Sequence, residues 1–403
     1  MCADSLSLSY DRAKLLEQIR ILQRALKQLS RSSRMDSSSF ARKLYLKWYR
    51  KLVKLRRRRD IFFPRVSVPA VPFNILQHVY DHHRDFRFTP QQLDLLAREL
   101  LPVKVQTFKK GRKDVSAEAV VALAVVLRHL ATPERQDRQA DFWHKSVAWV
   151  SVIFHATMDL LYARAQAAFR QWPQFHFDEI PRLCDAMLEK SGNLLYAHSL
   201  LDGSGLRVCR PSGDGPTGPV QQHFYSGKER HHVMRILGLF SLSGMLIRLF
   251  GTYPGSAADE TIYNMEDVES QLGQFHDLAS QFLQVRMRPT VIGDSGFTAS
   301  PNLVTPFSFD PSAPSLSAEN VFNMVVSRSR IPNEWGFGRV VNTFQTMQYH
   351  SLLKVDWTHP QQQYVLACFF TNFVVIFEGS QTDRYFGVSP PSFEKYIEHI
   401  NLQ

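Results

Sequence analysis

The sequence predicts an α/β or α+β fold, helices packed on a central sheet, preceded by an all-helical region. Three observations carry this. Helical periodicity dominates from residue 74 to about 172. From about 195 onward, short apolar runs alternate with Gly and Pro turns, as in LLYAHSLLDGSG, VMRILGLFSLSGMLIRLFG and PTVIGDSG. Helical patterns then return at AENVFNMVVSRSR and QQQYVLACFFTNFVVIFEG. Strands followed by helices bury their apolar faces best as layers.

The chain of 403 residues is long enough for two or three domains with ample core, and 44% hydrophobic residues with 21% charged describe a mostly globular protein. Cys2, Cys184, Cys209 and Cys368 are scattered without a CxxC pair. That argues against a zinc ribbon or a disulfide framework and fits a reducing compartment. The N-terminus lacks the apolar core of a secretory signal. The most apolar stretch, 233–250, holds Arg235, Arg248 and a Ser243-Gly244 pair, so it reads as a buried β-hairpin rather than a membrane span.

The formal net charge is +11, and the first 60 residues hold 17 Lys and Arg against 5 Asp and Glu. The whole positive excess therefore lies in the N-terminal arm, where a phosphate-rich partner is expected. Within it, Leu15, Ile19, Leu22, Leu26 and Leu29 form a short coiled-coil seam, equally suited to docking on the same protein. After the break SRSSRMDSSS comes KLYLKWYRKLVKLRRRR, residues 43–59, whose Lys54, Arg56, Arg57, Arg58 and Arg59 suit DNA phosphates or nuclear import. A solvated polyanion-binding tail is the plain alternative. The arm spans 1–63, and the Pro-rich 64–73 reads as a linker.

In the region 74–175, Thr89 is an expected N-cap with Pro90 at the first helical position, and Ser116 an expected cap of an apolar helix. ERQDRQADFW and SVAWVSVIFHATMDLLYARA give two more helices joined near His144-Lys145. Together they suggest a helix-turn-helix-like unit whose last helix begins near Ser146, although packed helices are common in any globular protein.

The acids are the chemically suggestive residues. Asp294, in VIGDSGF, follows an apolar run and precedes a small-residue turn; Asp202, ending LYAHSLLDG, repeats that setting. Each reads either as a surface turn after a strand or as a ligand at a strand end. A third acid, Glu334, lies in RSRIPNEWGFGRVV, four residues after Arg330. Its plain reading is a salt bridge to Arg330. Its functional reading is a helix-borne carboxylate that completes a Mg²⁺ site.

DGSGLRVCRP, YSGKERHH, LFGTYPGSAADETIY, VIGDSGFTASPNLVTPF and SRSRIPNEWGFGRVV, in that order, resemble the successive blocks of the Harbinger-type (PIF/Harbinger) DDE superfamily of transposases and transposase-derived endonucleases. The resemblance covers about 195–380, and a weaker likeness in LRHLATPERQDRQADFWHKSVAWVSVIF extends it to about 75, where the family carries a helix-turn-helix region. It implies a ribonuclease H-like domain at 190–385 with a central mixed sheet, and a C-terminal tail at 386–403. It implies that Asp202, Asp294 and Glu334 hold Mg²⁺ or Mn²⁺ for hydrolytic phosphodiester cleavage, and that strand transfer follows where transposition is retained. Asp259, in PGSAADE, matches a further acidic position; a helix N-cap is its equally weighted alternative. Tyr225, Lys228 and Arg230 could approach DNA, or support a strand. Pro332 departs from the family pattern and is expected to start the helix there, with Glu334 in its first turn. The family context also implies DNA as substrate and a Myb-like DNA-binding partner; the basic run adds a nuclear site, no membrane is expected, and a homodimer and a monomer stay open. The alternative is a domesticated protein that binds DNA or a partner without cutting. A membrane or coiled-coil scaffold rests on the arm alone.

Overall fold

The computed structural model describes residues 81–107, 115–192, 194, 196–215, 218–282, 288–308, 314, 317–355 and 357–401. The chain divides into two units, Met1–Asn74 and Ile75–Gln403, and every described residue lies in the second. The coiled-coil seam, the basic run with Lys54 and Arg56 to Arg59, and the Pro-rich linker fall outside the described residues.

The first described helices are His82–Phe86 and Pro90–Leu100. Thr89 caps the second in a capping box with Gln92, as its sequence predicts. Next comes a hairpin of β1 (Lys104–Thr107) and β2 (Val115–Glu118), so the leading region is not all-helical. Ser116 does not cap the helix Ala119–Ala131: it pairs with Gln106 in this ladder, and Glu118 takes the N-cap position. Gln136–Phe142 and Val147–Arg170 follow, bent by 100° across a short join in which His144 has φ +49°. That angle lies in the helix-turn-helix range. Ser146 caps the second helix by accepting from Trp149 N. Among the described residues no single helix is long and apolar enough to cross a membrane, though this bent pair passes by length and composition together.

After the helix Gln174–Ser191 the sheet begins. Its six strands are β3 (Ala197–Arg207), the short β6 (Tyr225–Ser226), β7 (His231–Ser241), β8 (Leu246–Pro254), β9 (Thr290–Ile292) and β10 (Leu303–Val304), ordered β10-β9-β3-β7, with β6 and β8 both pairing with β7. The small pieces β4 (Asp214–Gly215), β5 (Gly218–Pro219) and β6 (Tyr225–Ser226) lie between β3 and β7 in the chain. β7 runs antiparallel to β3 and to β8, while β9 and β10 run parallel to β3, so the sheet is mixed. The apolar stretch expected as a hairpin is β7 and β8. Its turn closes with Gly244 N donating to Ser241 O and needs φ +81° at Gly244, a conformation glycine adopts without strain.

The helices Asp259–Met265 and Val268–Phe282 connect β8 to β9. Ala318–Thr343 then crosses the sheet, followed by Pro360–Glu378, Gln381–Phe386 and Phe393–Asn401. Pro332 does not start a helix. It lies inside Ala318–Thr343, where buried Val326 and Phe337 anchor the helix on either side of it. The last residues are not a tail either: Tyr396, Ile397 and Ile400 are buried, and Tyr396 OH accepts from Asn372 Nδ2. The leading helices and the sheet share one unit, and His399 reaches the Ala168 carbonyl.

A polar chain runs through this core. His176 bonds His198 at 3.0 Å, His198 bonds His276 at 2.9 Å, and His276 Nδ1 bonds Asn302 Oδ1 at 2.9 Å. Asn302 Oδ1 also accepts from Arg288, while Asn302 Nδ2 donates to Glu269. His276 must therefore donate through Nδ1, which leaves its Nε2 to accept from His198, and His198 Nδ1 to accept from His176. Burial lowers all three imidazole pKa values, His176 to about 3 and His276 to about 4, so the chain is neutral and its tautomers are set.

Candidate active site

The sheet register brings Asp202 and Asp294 side by side. Leu200 of β3 pairs with Ile292 of β9 in parallel. Two residues further along stand Asp202, still within β3, and Asp294, just past the end of β9. Asp202 is not at a strand end, as its glycine neighbours suggest, but within β3, opposite Gly238 of β7. Gly203 and Gly205 do not end the strand, because the room a side chain would need is filled by the carboxylates of Asp259 and Glu229. Asp294 lies where the sequence expects it, just past β9. Gly293 N still donates to Val304 O, and buried Phe297 anchors the turn against Tyr263.

Both carboxylates are oriented by backbone amides. Gly203 N donates to Asp202 Oδ1 and Gly296 N to Asp294 Oδ1, each at 2.9 Å. Both also face one guanidinium: Arg330 Nη2 stands 3.7 Å from Asp202 Oδ1 and 4.0 Å from Asp294 Oδ2. Burial raises the Asp202 pKa to about 6, against the pull of Arg330 and the Gly203 amide; the charges of Asp294 and Asp259 push the same way as burial.

Asp259 is the first residue of its helix, after the N-cap Ala258. Burial raises its pKa too, with Arg235 opposing and Asp294 reinforcing the rise. Arg235 of β7 is buried between Glu229 at 3.0 Å and Asp259 at 3.6 Å. Of this network, the sequence points to Asp259 through its family position, but not to Glu229 or Arg235.

Glu334 does not join the pair. It is exposed and lines a surface cavity of about 490 Å³ with Gly244, Trp335, Arg339 and Ser380, a cavity that includes neither aspartate. Arg330, one turn earlier on the same helix, faces the aspartates rather than Glu334. Lys228 and Arg230 are exposed in the turn between β6 and β7, not in a strand, and the Lys228 charge acts on Asp259. Tyr225 is half-exposed beside His232.

The donor set fits a hard divalent ion in part. Mg²⁺ takes one or two carboxylates and completes its shell with water and substrate phosphate, and Asp202 with Asp294 supplies two carboxylates already aimed at one cation. Among the described residues no group of three or more His, Cys, Asp or Glu side chains converges to hold a metal, so the fit extends to the pair.

Residues 201–372 match the family described as DDE superfamily endonuclease. The match supports a DDE-type transposase family for this segment, which contains Asp202, Asp259, Asp294, Arg330 and Glu334. No curated protein and no solved structure matches the chain.

Proposed function

We propose that this chain is a metal-dependent DNA endonuclease of Harbinger type that cleaves a phosphodiester by hydrolysis. The observation that carries the reading is that Asp202 of β3 and Asp294, just past the parallel β9, face one guanidinium inside the segment that matches DDE endonucleases. The strand order, with β3, β7, β8 and the short β6 paired antiparallel and β9 and β10 added in parallel, supports a ribonuclease H-like fold.

In this reading Asp202 and Asp294 hold Mg²⁺ or Mn²⁺, which when bound activates water and stabilises the leaving oxygen. The Gly203 and Gly296 amides keep the carboxylate oxygens aimed. Burial of Asp202 makes its charge act through a poorly solvated site, where it counts for more. Glu334 is the third carboxylate by family resemblance, and it stands apart from the pair in this structure, so the two aspartates carry the reading. Asp259, nearer to the pair in charge, is a supporting acid. Lys228, Arg230 and the basic arm with Lys54 and Arg56 to Arg59 position DNA through its phosphates. A nuclear site, a Myb-like partner, a homodimer and strand transfer belong to the same proposal.

The second reading is a transposase-derived protein that binds DNA or a partner without cutting. The exposure of Glu334 away from the aspartates favours it. Cleavage of DNA from the ends of the protein's own locus, with Mg²⁺ or Mn²⁺, separates the two. The nuclease reading expects nicking that is lost in Asp294→Ala and in Glu334→Gln. DNA binding without metal-dependent nicking in the unaltered protein would favour the second.

A further inference from the structure

Arg330 is half-buried and held unlike the buried arginines Arg128 and Arg235. Arg128 makes hydrogen-bonded ion pairs with Asp85 and Glu134, and Arg235 holds Glu229 at 3.0 Å. The contacts of Arg330, at 3.7 and 4.0 Å, lie beyond hydrogen-bond range. Its Nε, like those of Arg128 and Arg235, is buried with no hydrogen-bond partner among the described residues, so the difference lies in the terminal nitrogens. Asp202 and Asp294 direct their short bonds to the Gly203 and Gly296 amides instead. The guanidinium is therefore held between them by charge, without the directional bonds that would lock it.

A cation held this way neutralises two carboxylates that would otherwise repel each other in a partly desolvated site. A divalent ion bound to those carboxylates competes for the same oxygens, and the two positive charges repel at that range. Arg330 sits on a long side chain that is 22% exposed, so it has a way out of the site. A guanidinium turned outward matches phosphate oxygens in geometry and charge.

We propose that Arg330 is the resident counter-ion of the Asp202–Asp294 pair, displaced when a divalent metal binds there and thereby freed to contact a phosphate of the DNA. The proposal rests on the reading of this pair as the metal site. It adds that metal and DNA binding reinforce one another through one side chain, since each favours the same Arg330 position.

The test uses the full chain without DNA, with Mn²⁺ titrated calorimetrically. Removing the competing charge in Arg330→Gln is expected to tighten Mn²⁺ binding about tenfold, roughly what one nearby charge contributes in a partly screened site. Arg330→Lys keeps the charge and is expected to stay near the unaltered protein. Asp294→Asn serves as the control for the site and is expected to weaken Mn²⁺. If Asp294→Asn weakens Mn²⁺ while Arg330→Gln leaves it unchanged or weaker, the counter-ion role is overturned and the metal pair stands. If Asp294→Asn has no effect, the site reading falls and the proposal with it.

Should Arg330→Gln fail to fold, phenylglyoxal labelling of the unaltered protein reads the same displacement. Mn²⁺ is expected to speed modification of Arg330 several-fold, measured on its peptide by mass spectrometry. Labelling that is unchanged or slowed by Mn²⁺ overturns the proposal.

Discussion

Gly238 stands directly across from Asp202 in the β3–β7 ladder, and the Phe337 ring occupies the space where a Gly238 side chain would lie. A methyl group there would come within 2.7 Å of Phe337 Cζ and 2.9 Å of Leu246 Cδ1. The close approach sets how Ala318–Thr343 lies on the sheet, and hence where Arg330 and Glu334 stand relative to Asp202. Gly238→Ala is expected to destabilise the protein by about 1–3 kcal/mol through overpacking. Denaturant unfolding measures this, and cleavage is expected to fall further than the loss of folded protein explains.

Asp202 gives a pH prediction with a definite sign. Its folded-state pKa is raised to about 6, above the usual carboxylate range. The group therefore contributes stability below its unfolded pKa of about 4, and that contribution is lost as pH rises through about 6. At neutral pH its charge opposes folding. Asp202→Asn is expected to stabilise the metal-free protein at pH 7 by about 1–2 kcal/mol and to show little gain at pH 4. It is also expected to abolish cleavage. Thermal melts at the two pH values check the first part.

The histidine chain titrates in the opposite sense. Its members have depressed pKa values, His176 to about 3 and His276 to about 4, with burial as the main cause. The neutral forms contribute stability that is present above the unfolded histidine pKa of about 6.5 and lost as pH falls towards 4. His198→Leu orphans His276 Nε2, although Asn302 still holds its Nδ1, and leaves His176 Nε2 with Ser199 Oγ alone. The expected cost is about 1–3 kcal/mol for each orphaned group. The variant should also lose stability less steeply between pH 6.5 and 4, which denaturant titrations across that range would reveal.

The C-terminal helix should behave as core. Asn372 Oδ1 accepts from Leu246 N, and its Nδ2 donates to Leu246 O and to Tyr396 OH, tying Pro360–Glu378 to β8 and to Phe393–Asn401. Deleting residues 392–403 uncovers Phe373 and Phe369, which lie against Tyr396. The truncated chain is expected to unfold at lower denaturant and to bind a hydrophobic dye. Unchanged unfolding would show that the helix adds nothing to the core.

Much of the fold was legible because local chemistry alone decides it. Thr89 with Pro90, Ser146, the β7–β8 hairpin and the turn after Asp294 follow from capping, turn residues and apolar alternation. Ser116, Pro332 and the C-terminal segment misled for one reason. Each is governed by a distant partner: β1 for Ser116, the sheet beneath Val326 and Phe337 for Pro332, and Asn372 for the last helix.

The sequence by itself determined which acids to examine, since Asp202, Asp259, Asp294 and Glu334 all lie in blocks that resemble one family. Only the tertiary structure decided which of them meet. Parallel register up to Leu200 and Ile292 brings Asp202 and Asp294 to one guanidinium, whereas Glu334, one turn further along the helix than Arg330, lies exposed beside Gly244 and Ser380. Residue type and spacing state what a side chain can do. Which turn of a helix comes to lie over a site is set by what its buried face packs against, and those contacts come from parts of the chain far away in sequence.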